Sequence, residues 1–178
     1  MDAITIIEKY YKKDSDLYNI LINHSTDVMN KAVSIAKKHP ELKIDVEFVK
    51  EAAMLHDIGI FLTNAPSIYC YGIAPYIAHG YLGRELLEKE GLPKHALVCE
   101  RHTGTGIALA EIESQKLPLP KRDMVPLTIE EKVICFADCF YSKTNLGKEK
   151  SIEQVRAGMA KHGTDSLERF DEWSKDFL

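Results

Sequence analysis

The segment 52–61, AAMLHDIGIF, brings an apolar helix pattern to an adjacent histidine and aspartate, His56 and Asp57. Apolar residues recur upstream of this pair with helical spacing, and Gly59 interrupts the pattern just beyond it. Asp45 is predicted to cap the start of this helix, because its carboxylate can accept a hydrogen bond from a free backbone N–H of the first turn. The segment therefore predicts a helix that delivers two polar side chains to the edge of an apolar core.

Helical periodicity continues on both sides of this segment, whereas the alternation typical of strands is nearly absent. The patterns predict helices near residues 4–11, 16–39, 45–56, 81–90, 94–102, 128–142, 151–162 and 165–178. The Pro-rich and Gly-rich stretches 63–75 and 115–128 are predicted to be irregular. We expect an all-α, single-domain bundle of about six to eight helices over 1–178, with a core at about 20–143 and C-terminal helices (144–178) packing on it.

Composition excludes several classes of protein. The chain has 178 residues, of which 45% are hydrophobic and 28% charged, which is typical of one globular domain. The net charge of −4 argues against binding a nucleic-acid duplex. Residues 1–20 lack the apolar run of a signal peptide, and no run is long enough to span a membrane. These features predict a cytoplasmic protein without a membrane partner, and they leave a homo-oligomer open.

Six polar residues stand where the helix patterns predict burial. His24 and Asp138 lie inside apolar helices, His56 and Asp57 end one, His79 opens one and His102 ends another. Each residue alone has an ordinary explanation, such as a satisfied core histidine or an ion-paired aspartate. Together they form a donor set of imidazoles and carboxylates, which suits Fe, Mn, Co, Ni or Zn.

The size of this donor set predicts two metal ions. Six ligands exceed the needs of one open catalytic site. Asp57 has two oxygens and could bridge two ions about 3.5–4 Å apart, with a hydroxide held between them.

The order of these residues resembles a known family. His24, His56-Asp57 and Asp138 reproduce the H…HD…D signature of the HD-domain superfamily of metal-dependent phosphohydrolases, and 56–59 matches its HDIG subgroup. The segments HGYLGRELLEKEGLP (79–93), ERHTGTGI (100–107) and LPLPKRDMVPLTIEEKVICFAD (117–138) extend the likeness to the small stand-alone HDIG proteins of bacteria and archaea. The resemblance implies an all-helical fold over about residues 20–143.

The resemblance also implies a ligand set, because family variants with two extra histidines carry two metals. One ion would be held by His24, His56, Asp57 and Asp138, and the other by Asp57, His79 and His102. Iron is the first expectation, with manganese, cobalt, nickel or zinc as alternatives. Asp57 is the predicted catalytic residue.

The expected reaction is hydrolysis of a phosphomonoester or phosphodiester of a nucleotide or related small molecule, by attack of a hydroxide that bridges the two metals. Arg101 and Lys143 are candidates for binding the anionic substrate. The turn 103–106 could also bind an anion, or it could be a helix cap and surface loop.

Two other functions remain open. Some proteins with the same six ligands are mixed-valence di-iron oxygenases. Others are non-catalytic regulatory HD modules, although these usually have degraded ligands. Of the remaining side chains, His39, His95 and His162 are predicted to be surface or helix-dipole histidines. Cys135 and Cys139 are predicted to be buried free thiols.

Overall fold

The computed structural model describes residues 2–178, and its regular secondary structure is almost entirely helical. Nine α-helices lie in this range: α1 (Ala3–Ile7), α2 (Asp16–Lys38), α3 (Val46–Leu55), α4 (His79–Lys89), α5 (Pro93–Arg101), α6 (Leu109–Ser114), α7 (Ile129–Asp138), α8 (Ile152–Ala160) and α9 (Thr164–Phe177). Four single 3₁₀ turns cover Pro40–Leu42, Ile60–Leu62, Pro66–Ile68 and Tyr76–Ala78. Two short antiparallel strands, β1 (Asn64–Ala65) and β2 (Cys70–Tyr71), form the one small sheet of these residues. The predicted all-α fold is confirmed.

The helix starts follow the capping residues of the sequence. Asp45 accepts a hydrogen bond from the Phe48 N–H at 3.0 Å, so the predicted cap of α3 is confirmed. Ser151 and Gln154 form both halves of a capping box at α8. At α7 only half of such a box forms: the Glu131 N–H donates to the Thr128 hydroxyl, but the Glu131 carboxylate accepts from the Leu127 N–H and not from that of Thr128.

Helix α6 was not predicted from the sequence. It has six residues, and its start depends on tertiary contacts as well as local ones. The Glu111 carboxylate accepts from the Ala108 N–H at 2.8 Å, and Asp123 accepts from the Leu109 N–H at 2.8 Å. Asp123 lies in the irregular connector, so periodicity alone could not reveal this cap.

Two apolar clusters form the core, and α2 and α3 contribute to both. In α2, Leu21 belongs to one cluster and Val28 to the other, and His24 lies between them along the helix. In α3, Ala53 and Leu55 are divided in the same way. Polar side chains of these helices at the boundary between the two clusters are therefore placed between them.

Helix α9 packs on the rest of the bundle through aromatic contacts. The rings of Phe136 in α7 and Phe170 in α9 stack with centroids 5.0 Å apart. Phe177 meets Phe136 edge-on at 5.3 Å. The C-terminal segment thus shares a core with the helix that ends at Asp138. Among residues 2–178, no helix combines the length and the apolar character that crossing a membrane requires.

Candidate metal centre

The six predicted polar residues meet where several helices end. His56 and Asp57 follow α3, His79 begins α4, His102 follows α5, Asp138 ends α7, and His24 lies inside α2. The backbone turns at a helix end, which allows two adjacent side chains such as His56 and Asp57 to point at one place. The cluster is buried: the Asp57 side chain is 0% exposed, and the Asp138 side chain is 16% exposed.

The two carboxylate oxygens of Asp57 face different histidines. Oδ2 lies 3.2 Å from Nε2 of His24 and 3.0 Å from Nε2 of His56. Oδ1 lies 3.4 Å from Nε2 of His79 and 3.3 Å from Nε2 of His102. Asp57 therefore joins two sets of side chains, one through each oxygen.

Asp138 completes the first of these sets. Its Oδ1 lies 2.9 Å from Nε2 of His24 and 3.5 Å from Nε2 of His56. We call His24, His56, Asp57 and Asp138 the first group, and Asp57, His79 and His102 the second group. Within each group the potential ligand atoms lie within 4.8 Å of one another, so either could hold a metal ion.

Backbone carbonyls orient three of the four imidazoles. Nδ1 of His56, His79 and His102 lies 2.6, 2.7 and 2.7 Å from the carbonyl oxygen three residues earlier. In a neutral imidazole, an Nδ1–H that donates to a carbonyl leaves Nε2 as the nitrogen with the free lone pair, which is the arrangement typical of metal-ligating histidines. These three histidines make the same contact because each lies at the start or end of a helix.

The donor atoms of the cluster fit a cation better than they fit one another. Nε2 of His24, Nε2 of His56 and Oδ1 of Asp57 have no hydrogen-bond partner among residues 2–178, and Oδ2 of Asp57 is paired with the Lys143 ammonium. Nε2 of His79 and Nε2 of His102 lie 3.1 Å apart, and both bear lone pairs if their Nδ1 atoms are protonated. Burying so many unsatisfied polar atoms is costly. Positive charge placed among them would remove that cost.

Burial and neighbouring charges shift the pKa values of the cluster: that of His56 is raised, and those of Asp57 and His79 are lowered. Burial alone would raise the pKa of Asp57, but the Lys143 ammonium and the nearby histidines hold it well below its usual range. Burial likewise opposes the charge of His56, yet Asp57 and Asp138 raise the His56 pKa to about 10. Burial lowers the pKa of His79 to about 3, since Asp57 offsets only part of the desolvation. A proton on His56 therefore competes with metal binding in the first group.

Gly59 allows α4 to approach the His56-Asp57 turn. A Cβ at Gly59 would lie 2.3 Å from the carbonyl oxygen of His79 and 2.6 Å from the backbone N of Gly83. Both atoms belong to α4, which begins with His79. The residue two positions after Asp57 therefore has to be glycine for His79 to reach Asp57.

Lys143 lies at the cluster. Helix α7 ends at Asp138, so the following turn brings Lys143 back, and its Nζ lies 2.6 Å from Oδ2 of Asp57. The Lys150 ammonium supports this turn by donating to the carbonyls of Cys139 and Tyr141. From the sequence, Lys143 was expected to reach the site only if its long side chain leaned back or the helix ended near Tyr141. Helix α7 ends at Asp138, three residues earlier than Tyr141.

The guanidinium of Arg101 pairs with a carboxylate of α7 and not with the cluster, and its role in binding substrate stays a prediction. Its guanidinium donates to both carboxylate oxygens of Glu131 at 2.9 Å. Glu131 is in the first turn of α7 and Asp138 in the last, roughly 10 Å apart along the helix axis. Arg101 therefore ties α5 to the start of α7.

The turn 103–106, for which the sequence left both anion binding and a helix cap with a surface loop open, makes contacts with α7 and α9. The Thr105 side chain is buried, and its hydroxyl lies 2.8 Å from the Ser166 hydroxyl of α9. Cys135 and Cys139 direct their thiols at the Gly104 carbonyl. The turn is held by other parts of the chain, so its hydroxyl at Thr105 is not open to an anion.

A cavity of about 310 Å³ opens onto the first group. His24 and Asp138 line one part of it, and side chains from 65–68 and 141–144 line much of the rest. Sequence reasoning missed three hydroxyl residues here, namely Ser67, Ser142 and Thr144. The run 142–144, Ser-Lys-Thr, follows Asp138 closely, and this clustering of polar side chains was the available signal. Tyr76 also lines the cavity.

The remaining histidines and cysteines lie outside the cluster. Nδ1 of His39 lies 3.1 Å from the Glu41 carboxylate, and the ring of His95 packs on Phe48 with centroids 4.8 Å apart. His162 lines a second cavity. Within the described range the four cysteines are buried and form no disulfide, as expected for Cys135 and Cys139.

An all-helical fold around a buried cluster of four histidines and two aspartates defines a class of protein, and a comparison with protein families identifies it. The family model described as HD domain matches residues 21–142, more than half of the chain and all six cluster residues. The chain therefore belongs to the HD-domain family. An HD domain with such a cluster fits a metal-dependent hydrolase. Assignment to the HDIG subgroup stays a prediction.

Relatives are found among archaeal proteins. The chain is 37% identical over 107 residues to an uncharacterised protein of Methanocaldococcus jannaschii, covering 60% of this chain and 56% of that protein. It is 33% identical over 165 residues to a tRNA (cytidine(56)-2'-O)-methyltransferase of Thermoplasma volcanium, covering 92% of this chain and 43% of the relative. A protein of the same name from Picrophilus torridus is 36% identical over 141 residues, covering 79% and 37%. The chain thus spans about half the length, or less, of these relatives. No solved structure matches it significantly.

Proposed function

We propose that this protein is a metal-dependent phosphohydrolase that uses two divalent transition-metal ions to hydrolyse a phosphoester of a small molecule. The observation that carries the proposal is the division of Asp57: Oδ2 faces His24 and His56, while Oδ1 faces His79 and His102. One carboxylate shared between two sets of donors is what a two-ion centre needs.

The first group would hold one ion and the second group the other, with Asp57 as the shared ligand and Asp138 as a further carboxylate of the first group. When bound, such ions lower the pKa of a coordinated water and polarise a phosphoryl group. The donor set has nitrogen and oxygen atoms without sulfur, which suits iron first, with manganese, cobalt, nickel or zinc as alternatives. The carbonyl bonds to His56, His79 and His102 would keep the imidazoles aimed at the centre while substrate enters and leaves.

Lys143 and the hydroxyls around it would bind the phosphate. The Nζ atom of Lys143 already lies at the junction of the cavity and Asp57. Asp57 raises the pKa of Lys143 although burial opposes its charge, so this side chain stays an ammonium at neutral pH. Ser142 and Thr144 line the same cavity and can donate hydrogen bonds to phosphoryl oxygens.

A small anionic substrate suits the cavity better than a long polyanion does. A cavity of about 310 Å³ is at the lower end of the size of small-molecule sites, which run from about 300 to 1,000 Å³. The net charge of −4 disfavours a nucleic-acid duplex along the surface. The relatives from Thermoplasma volcanium and Picrophilus torridus are named methyltransferases, but this chain corresponds to less than half of each. We therefore do not assign methyltransferase activity to this chain.

The test is phosphate release by protein purified with its native metal, measured without oxygen against a panel of phosphomonoesters and phosphodiesters. The expected result is anaerobic release of phosphate or of a phosphomonoester from at least one panel member. Activity should disappear in Asp57→Ala and persist in His39→Ala, a matched histidine control outside the cluster.

Two results would contradict the proposal. Oxygen uptake together with the electron paramagnetic resonance signal of an Fe(II)/Fe(III) pair, and no anaerobic release, would identify the di-iron oxygenase alternative. Metal-loaded protein that turns over neither a phosphoester nor oxygen would identify a regulatory HD module.

A further inference from the structure

Tyr76 lies between the cavity at Lys143 and the second group of the cluster. It is half-buried and begins the single 3₁₀ turn (Tyr76–Ala78) that leads into α4. It lines the cavity of about 310 Å³ together with Lys143 and Asp138. Its side chain is therefore a wall of the cavity in which the phosphate is proposed to bind.

The backbone and the ring of Tyr76 both hold His79. The Tyr76 carbonyl oxygen lies 2.7 Å from Nδ1 of His79, and the two rings stack with centroids 4.7 Å apart at an angle of 26°. The carbonyl contact does not depend on the Tyr76 side chain, but the stacking does. The ring therefore helps to keep Nε2 of His79 directed at Asp57, whose Oδ1 is 3.4 Å away.

The ring of Tyr76 also contacts the Lys143 ammonium. Nζ of Lys143 lies 5.9 Å from the ring centroid, which is within the range of a cation–π interaction. A phenylalanine could make both this contact and the stacking on His79. The hydroxyl of Tyr76 thus needs an explanation of its own.

Lys143 leaves the proton of the Tyr76 hydroxyl available to another group. The ammonium acts on the phenol through its charge and through a hydrogen-bonding contact. Because an ammonium only donates, the phenol oxygen accepts in that contact and its O–H can donate elsewhere. Burial raises the pKa of Tyr76 to about 12 although Lys143 opposes the shift, so the hydroxyl keeps its proton at neutral pH. An anion next to Lys143 would supply an acceptor for it.

We propose that Tyr76 is a further substrate-binding residue, whose hydroxyl donates a hydrogen bond to a phosphoryl oxygen held next to Lys143 and whose ring positions His79. This inference rests on the proposed function for the place of the phosphate. It adds that one side chain connects the bound anion to the second group.

Two substitutions separate the hydroxyl from the ring. Tyr76→Phe removes the hydroxyl alone, and Tyr76→Leu removes the aromatic ring as well. Tyr71→Phe and Tyr71→Leu make the same changes at a residue of β2 that is 73% exposed and lies outside the cavity lining, so they are the matched controls. Thermal melting identifies the variants that fold, and either Tyr76 variant tests the hydroxyl.

Calorimetric titration of the metal-loaded protein with inorganic phosphate, at saturating metal, measures the hydroxyl contact without turnover. The wild type and the Tyr71 variants should bind phosphate equally. Both Tyr76 variants should bind it about tenfold more weakly, because a hydrogen bond to a charged group is lost. The kcat/KM for a phosphoester should fall by a similar factor in Tyr76→Phe.

Metal retention measures the contribution of the ring. At one chelator concentration Tyr76→Phe should keep as much metal as the wild type, because the stacking on His79 remains. Tyr76→Leu should lose the ion of the second group at a lower chelator concentration than the wild type does. Equal retention by Tyr76→Leu and the wild type would overturn the positioning of His79 by the ring.

The role of the hydroxyl is overturned if the wild type binds no phosphate, or if the folded Tyr76 variants bind it as tightly as the wild type does. Loss of metal from Tyr76→Phe would also overturn it, since the hydroxyl would then act on the metal centre. Phosphoester hydrolysis that Tyr76→Phe leaves unchanged would contradict the inference and support the proposed function. Phosphate binding that depends on the hydroxyl, without hydrolysis of any phosphoester, would support the inference and contradict the proposed function.

Discussion

The first and second groups share Asp57 but differ in charge. The first group contains a second carboxylate, Asp138, whereas the second group depends on Asp57 alone. This difference explains why His56 and His79, both buried against Asp57, shift in opposite directions: two carboxylates raise the pKa of His56 to about 10, and burial lowers that of His79 to about 3. The first group therefore attracts a cation more strongly, and we expect it to hold its metal more tightly.

Removing the shared carboxylate should abolish the difference by emptying both groups. In Asp57→Ala the metal content should fall from two ions per chain to near zero. Turnover should fall by at least about 10³-fold, because residues that act as one unit lose their function together. Elemental analysis and the phosphoester assay measure the two effects, with His39→Ala as the control. Metal content near the wild-type value would show that Asp57 is not the shared ligand.

Removing one histidine from each group should separate them. His79→Ala should keep one ion, because the first group retains its four donors, while turnover should fall by at least about 10²-fold. His56→Ala should lose the more tightly held ion. Dialysis against a graded series of chelator concentrations, followed by elemental analysis, measures the order of loss. Equal retention by the two variants would contradict a difference in affinity.

Lys143→Met separates substrate binding from metal binding. A charge-assisted hydrogen bond contributes about 1.5–3 kcal/mol, so kcat/KM should fall roughly 10- to 100-fold. The metal content should stay at two ions, because Lys143 is not a ligand. Lys148→Met, at an exposed position of the same loop, is the control. A parallel loss of metal would instead show that Lys143 acts by positioning Asp57.

Acidity should weaken metal binding at the first group. The His56 pKa of about 10 in the metal-free protein means that both ring nitrogens of His56 are protonated at neutral pH. A metal ion must displace that proton, so the apparent affinity should rise about tenfold per pH unit between pH 7 and 9 for one proton released. Without metal, pH affects the free energy of unfolding in the opposite direction. The raised pKa of His56 stabilises the folded protein fully below about pH 6.5, and this contribution is lost as the pH rises towards 10.

Calorimetry in buffers of different ionisation enthalpy counts the released protons. No proton release on metal binding at pH 7, or an affinity that does not change with pH, would contradict the assignment of a proton to His56.

Gly59→Ala tests how the second group is positioned, and its effect should be the smallest. The added Cβ would collide with the His79 carbonyl, so we expect a loss of about 1–3 kcal/mol in the free energy of unfolding. Gly158→Ala in α8 is a matched control, since a Cβ there meets no atom within 4 Å. Urea unfolding measures both. Unchanged stability in Gly59→Ala would show that α4 can shift without cost.

The sequence predicted the residues of the cluster better than it predicted the cavities. His24 and Asp138 were visible because a polar side chain inside an apolar helix pattern needs a partner. The six cluster residues meet in the structure, although their role as ligands stays a proposal. The ion pair of Arg101 was not predictable from its neighbour His102, since the direction of its side chain depends on Glu131 in another helix. The same holds for α6, whose cap comes from Asp123.

The sequence also could not predict that the two oxygens of Asp57 face different histidines, because this depends on how closely α4 approaches the turn after α3. Spacing along the chain places His79 and His102 on helices but does not say which carboxylate oxygen they face. Ser67 and His162 line the cavities through loop conformations that periodicity does not describe.

Elemental analysis of the wild-type protein purified with its native metal tests the two-group centre most directly. The division of Asp57 predicts two transition-metal ions per chain, with one lost before the other on chelation. A single ion per chain at saturating metal, or none, would contradict it.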